Sequence, residues 1–187
     1  MYCNYLTDFI IPDVVTEIGK NAFSHMGSLT SITFGKNVKT VGENAFSWNS
    51  RLQTVNLNDG LEKISDYAFN NCTKLESIKL NSGLEYLGKG AFSYTKLQNL
   101  IIPASVTYVG ADLVKGNSAA DAASFKLLVE ATAPNGAWSE TWNVNLADEF
   151  DGEIIYNYYP TYYYSETEKT DEELSFWHYV DGVPQVW

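Results

Sequence analysis

Hydrophobic and polar positions in this chain alternate in short bursts that return at a fixed interval. In Leu29-Thr30-Ser31-Ile32-Thr33-Phe34, the apolar Ile32 and Phe34 alternate with Ser31 and Thr33, the two-residue period of a half-buried strand. A second extended piece, Val14-Val15-Thr16-Glu17-Ile18-Gly19, precedes it. Between the two sits an Ala-Phe pair, and the pair recurs at Ala22-Phe23, Ala45-Phe46, Ala68-Phe69 and Ala91-Phe92, 23 residues apart each time. The segment around it predicts a tight helical or 3₁₀ turn. Other columns keep the same phase. Val15, Val38, Leu61 and Leu84 form one, and Ile18, Val41, Ile64 and Leu87 form the next, each followed by a small residue. Leu29, Leu52 and Leu75 are in step, while Leu97 comes one residue early, and that deletion carries on to Val106, Val109 and Gly110.

A period of this size marks a solenoid, because a unit this short cannot bury its own apolar face and must stack on its neighbours. The expected fold is a leucine-rich-repeat-like, right-handed β/α stack with a parallel sheet, its strands about 4.8 Å apart. The Phe columns would stack into one continuous core. Leu6 to Pro12 matches Leu97 to Pro103, so residues 1–11 read as a half-repeat, followed by about five repeats to residue 131. Cys3 lies three periods before Cys72; three coils separate them by about 14 Å, beyond the roughly 7 Å a disulfide spans, so both are expected as free thiols. The last repeat is irregular: Leu113-Val114 replaces Ala-Phe, and small residues are inserted before the strand Phe125 to Ala131. An atypical last repeat suits a solenoid end, which needs a cap.

These columns, VxxIGxxAF followed by LxxIxI and often Pro, resemble the BspA-like, or Treponema pallidum-type, leucine-rich repeats over about residues 2–131. The resemblance implies a bacterial surface or secreted protein, an adhesin or interaction scaffold that binds host matrix proteins or other cells. It implies no catalytic residues. The stretch Tyr162 to Trp187 also looks like the segment that follows such repeats in gut-bacterial surface proteins.

Residues 132–187 change character, and are expected to form an aromatic, acidic cap or small β segment. They hold 13 aromatic residues, among them Trp138, Trp142, Trp177 and Trp187. Pro134, Asn135 and Gly136 mark the exit from the repeats. Asp181-Gly182 between two β-rich runs predicts a hairpin with a type I′ turn, and Pro184 predicts that its last strand is an edge. Thr167 to Ser175 suggests a short acidic turn or helix. The aromatics suit a cap over the open end of the core, or else a surface that stacks on sugars or anchors a protein; of the run Tyr162-Tyr163-Tyr164, at least one ring should be exposed, because neighbours on a strand point oppositely.

Charge sharpens the picture. The net charge is -11, but residues 1–131 carry 12 acidic against 11 basic side chains, whereas residues 132–187 carry 11 acidic side chains and one Lys. A chain with no basic footprint is a poor partner for nucleic acid or an anionic membrane. No apolar stretch approaches about 18 residues, so no membrane insertion is expected, and no signal peptide follows Met1. The four carboxylates of Asp148 to Glu153 lack the spacing of an EF-hand and read as a solvated loop. The chain has two His, His25 and His178, and neither HExxH nor CxxC, so no metal, no cofactor and no enzyme activity are expected. What remains is the face between the buried columns of the LxxIxI strands: Ser31, Thr33, Thr54, Asn56, Ser77, Lys79, Asn99 and Ile101. These small and polar side chains suit an extended protein partner; a glycan or a purely structural spacer role are the alternatives.

Overall fold

The computed structural model describes residues 6–118, 125–130, 138–140, 142–150, 153–158, 161–165, 175–180 and 183–186. In chain order the strands are β1 (Asp8–Ile10), β2 (Glu17–Ile18), β3 (Ser31–Thr33), β4 (Thr40–Val41), β5 (Thr54–Asn56), β6 (Lys63–Ile64), β7 (Tyr86–Leu87) and β8 (Asn99–Ile102). They continue with β9 (Tyr108–Val109), β10 (Lys126–Val129), β11 (Val144–Phe150), β12 (Glu153–Tyr158), β13 (Thr161–Tyr164), β14 (Ser175–Val180) and β15 (Val183–Val186). The chain winds as a solenoid. One side is a parallel sheet of β2, β4, β6, β7 and β9, built from the VxxIG pieces. The other side carries the LxxIxI pieces, as β1-β3-β5 and then β15-β14-β13-β10-β8. Register follows the repeat: Ile32 faces Val55, and Val41 faces Ile64.

The expected helical turn at Ala-Phe is instead an arc of linked turns, and the described residues contain no helix. Each arc holds two residues in the left-handed region, at Asn21 and His25 (both φ 58), Asn44 (φ 55) and Trp48 (φ 62), and Tyr67 (φ 56) and Asn71 (φ 59). A left-handed residue every fourth position breaks a right-handed helix. The freed amides bond along the solenoid axis instead. Phe23 N–H donates to the Ala45 carbonyl at 2.8 Å, Phe46 to Ala68 at 2.8 Å and Phe69 to Ala91 at 2.9 Å. A third ladder of backbone hydrogen bonds therefore runs along the arcs.

Stacking coils in one phase superimposes like side chains. Phe23, Phe46, Phe69 and Phe92 stack with centroids 5.2, 5.2 and 5.6 Å apart and planes within 6°. The last three are fully buried. Beside them runs a column of polar or polarisable side chains that tie down arc carbonyls. Asn49 Nδ2 donates to the Phe23 and Phe46 carbonyls, and its Oδ1 accepts from Met26 N–H. Cys72 Sγ donates to the Phe46 carbonyl at 3.3 Å and Thr95 Oγ1 to the Phe92 carbonyl at 2.9 Å. Cys72 is a free, buried thiol; Cys3 lies outside the described residues.

The tail continues the solenoid. β13 pairs parallel with β10, β14 with β13, and β15 closes antiparallel on β14 with Pro184 opposite Tyr179, so Pro184 does lie on an edge strand. Trp138 bridges to Val109 on the other side, and packs edge-on against Trp142 at 4.9 Å. Trp142 is buried in the core. β11 and β12 form a hairpin that pairs only with itself among the described strands. Residues 166–174, the side chains of Tyr162, Tyr164 and Trp177, and Trp187 lie outside what is described.

Two stability predictions follow from this packing. Phe69→Ala removes a ring stacked on both sides and should cost about 3–5 kcal/mol in a urea titration. Gly88 has the backbone of Ser65 and Asp66 2.4 Å from where a Cβ would stand, whereas nothing lies within 4 Å at Gly19. Gly88→Ala should therefore lower the urea midpoint clearly, and Gly19→Ala should leave it nearly unchanged.

Candidate functional site: the outward face of the LxxIxI strands

Alternation along each strand sends Ile32, Val55 and Leu100 inward, at 0%, 6% and 0% exposure. It sends Ser31, Thr33, Thr54, Asn56, Ser77, Lys79, Asn99 and Ile101 outward, all half-buried or exposed. The eight candidates thus share one face. Asn56 Nδ2 donates to Thr33 Oγ1 at 3.1 Å across it. Ile10, in the Thr33 column, is 72% exposed at the N-terminal end. At the other end, Leu127, Leu128 and Val129 of β10 are all buried. Successive residues on a strand point to opposite sides, so β10 is covered on both faces and walls off the site.

The expected sheet is not continuous. Residues 76–80 should form its strand between β5 and β8, but they make no ladder. Lys96 N–H donates to the Leu75 carbonyl and Gln98 N–H to the Glu76 carbonyl, each at 3.1 Å. Beyond these, no backbone hydrogen bond joins residues 75–80 to either neighbouring coil among the described residues. Ile78 is accordingly only half-buried, whereas Ile32, Val55 and Leu100 of its column are buried. This strand lies between a coil of 23 residues and the shortened coil of 22, which ends at Leu97 and Ile102 one residue early. Ser77 and Lys79 therefore sit on a lifted strand, not in a paired one.

Hollows flank the lifted strand. On the β5 side a cavity of about 400 Å³ is lined by Gln53, Thr54, Lys74, Glu76 and Ser77, all polar. On the β8 side a cavity of about 250 Å³ is lined by Ile78, Lys79, Leu80, Asn99, Ile101, Pro103 and Glu130. At the start of the strand, Lys96 Nζ bonds Glu76 Oε1 at 2.7 Å and holds that carboxyl below the usual range. Lys79, by contrast, joins no ion pair among the described residues.

The opposite sheet carries aromatics that the sequence reading passed over. The rings of Tyr86 and Tyr108 stack at 4.4 Å with planes 6° apart, and Lys63 Nζ lies 4.5 Å from the Tyr86 centroid. Burial, then the neighbouring Tyr108 and Asp66, pushes the Tyr86 hydroxyl up to about 12. His25 and Trp48 stack at 5.8 Å on the arcs. Their in-phase spacing, 22 residues for the Tyr pair and 23 for His25 and Trp48, was the available signal. These rings spend a face on one another, so they strengthen the stack of coils before they offer a platform to a sugar.

No group of three or more His, Cys, Asp and Glu side chains among the described residues could hold a metal ion. No described helix is long and apolar enough to cross a membrane. Burial pushes the Cys72 thiol up to about 12, away from nucleophilic use.

The BspA type leucine-rich repeat region family matches residues 1–120, in six copies. This chain belongs to that family. The BspA-type chain shares its fold with the Treponema pallidum leucine-rich repeat protein, at 24% identity and TM-score 0.59 over 69% of this chain and 63% of that one. It is also similar to a leucine-rich cell surface protein from Faecalibacterium prausnitzii (31% identity, TM-score 0.44, 60% of this chain and 38% of that one). A leucine-rich repeat protein from Bacteroides ovatus is similar at 21% identity and TM-score 0.41, over 74% of this chain and 53% of that one. The chain spans less than two thirds of the length of each. No curated protein sequence matches it.

The thiol environment makes a direct prediction. In a Cys3→Ser background, Cys72 in the folded protein should react with a disulfide reagent at pH 8 at least about a hundredfold more slowly than in urea. Because its folded value stands above its ordinary 9.0, the unfolded chain loses the thiol proton first as pH rises. Its contribution to stability is then complete below about pH 9 and declines from there toward 12, which urea titrations across that range would show.

Proposed function

We propose that this chain is a non-enzymatic protein-interaction or adhesion module of a bacterial cell-surface protein, binding a host or matrix protein through the outward face of its LxxIxI strands. The observation that carries the reading is the common face of Ser31, Thr33, Thr54, Asn56, Ser77, Lys79, Asn99 and Ile101, open over four coils and walled at β10. A long, shallow, nearly neutral surface of small side chains fits an extended polypeptide laid across the coils. Family membership supports the same reading, since such repeats serve as interaction scaffolds. The expected cell-surface or secreted location rests on the family alone.

Biolayer interferometry against extracellular-matrix proteins, beside a glycan panel, tests the reading. A chain with Thr54, Asn56, Ser77 and Lys79 all changed to Glu should bind a matrix partner at least about tenfold more weakly, with its melting temperature held. Binding confined to glycans and unaffected by the four changes would contradict the reading and move the site to the aromatic tail.

A further inference from the structure

The coils on either side of residues 76–80 are joined unevenly around their circumference. Along the arcs, Phe46 N–H donates to the Ala68 carbonyl at 2.8 Å and Phe69 N–H to the Ala91 carbonyl at 2.9 Å. Along the VxxIG side, β4, β6 and β7 pair in register, Val41 with Ile64 and Ile64 with Leu87. On the LxxIxI side, no backbone hydrogen bond joins residues 77–80 to β5 or to β8 among the described residues. Two successive junctions between coils are thus fastened along two lines and unfastened along the third.

The strand in the gap is held only at its ends, and by opposite neighbours. At its start, Lys96 N–H donates to the Leu75 carbonyl and Gln98 N–H to the Glu76 carbonyl, each at 3.1 Å, and Lys96 Nζ bonds Glu76 Oε1 at 2.7 Å. These tie it to the following coil. At its end, Asn81 Nδ2 donates to the Asp59 carbonyl at 3.0 Å and to the Leu61 carbonyl at 2.8 Å, in the segment that follows β5. These tie it to the preceding coil. A link anchored in this way tilts when its two anchors separate, and no ladder has to break for it to do so. Hollows of about 400 and 200 Å³ on its β5 side and about 250 Å³ on its β8 side leave it room, where a close-packed interior would resist. Motion within a packed fold concentrates where the fewest hydrogen bonds and packed contacts must be given up.

We infer that the solenoid carries a one-sided hinge at residues 76–80, on which the LxxIxI face opens and closes while the VxxIG sheet and the arcs serve as the axis. Opening changes the distance between β5 and β8. The hinge stands whether or not this face binds a partner.

Distances between paired nitroxide labels, measured by pulsed electron paramagnetic resonance in a Cys3→Ser background, read the motion directly. Cys72 is buried and stays unlabelled. Asp8→Cys with Asn99→Cys spans four coil steps on the LxxIxI side, and Thr16→Cys with Thr107→Cys spans four on the VxxIG side, about 19 Å between backbones in each case. All four sites are exposed, and both pairs straddle residues 76–80. The distance distribution of the first pair should be at least about twice as wide as that of the second. Ser31→Cys with Lys126→Cys, again four steps on the LxxIxI side, leaves out β1 and should be as wide as the first pair. Equal widths on the two sides would overturn the hinge. A wide Asp8–Asn99 distribution beside a narrow Ser31–Lys126 one would also overturn it, because the motion would then belong to β1 alone.

Discussion

The solenoid depends on one constraint: each coil must return to the phase of the coil before it, so that backbone bonds to backbone and Phe stacks on Phe. Three parallel ladders enforce this, along the LxxIxI side, along the VxxIG side and along the arcs. Because the ladders share one chain, a residue's place in the repeat fixes whether it is buried, outward or bonded to a neighbour's carbonyl. The fully buried Phe46, Phe69 and Phe92 form a core that no single coil could close. The same constraint makes Asn49, Cys72 and Thr95 equivalent, since each answers a carbonyl left facing inward by the arc.

A change of repeat length strains the constraint, and the structure shows where the strain is released. The shortened coil keeps its bonds on the VxxIG side, where Tyr86 pairs with Tyr108, and on the arc, where Phe92 N–H reaches the Leu113 carbonyl at 2.8 Å. The mismatch falls on the LxxIxI side, at residues 76–80. There a strand gives up its ladder, Ile78 rises from the core, and polar and apolar hollows open on its two sides. An otherwise plain solvated face thus acquires relief at this one coil. Regularity provides the scaffold, and the shortened coil interrupts it on this one face.

Most of the fold was legible in the sequence because like residues recur in phase: the Ala-Phe pairs, the Ile18 and Leu29 columns, and the outward Ser31 to Ile101 face all fall where the period puts them. The arcs were legible as turns but not as non-helical ones. Their left-handed positions are filled by Asn21, His25, Trp48, Tyr67 and Asp112, residue types without a common signature, although the Asn and Asp among them tolerate that region best. The one-residue deletion before Leu97 was visible, but its effect fell on the strand of the preceding coil, which has a normal sequence. In the tail the hairpin around Asp181-Gly182 could be read locally, whereas the parallel pairing of β13 and β14 onto the repeats could not, since the period fades there.

Native-state hydrogen exchange, resolved by residue, measures the break itself. The amides of Phe34, Thr54 and Phe69 bond to neighbouring coils, and those of Ile78, Lys79 and Leu80 do not. The account predicts that Ile78, Lys79 and Leu80 exchange at least about a hundredfold faster than the other three, in the middle of an otherwise protected solenoid. Equal protection across all six would mean that the strand is paired like its neighbours, and would contradict both the break and the hinge built on it.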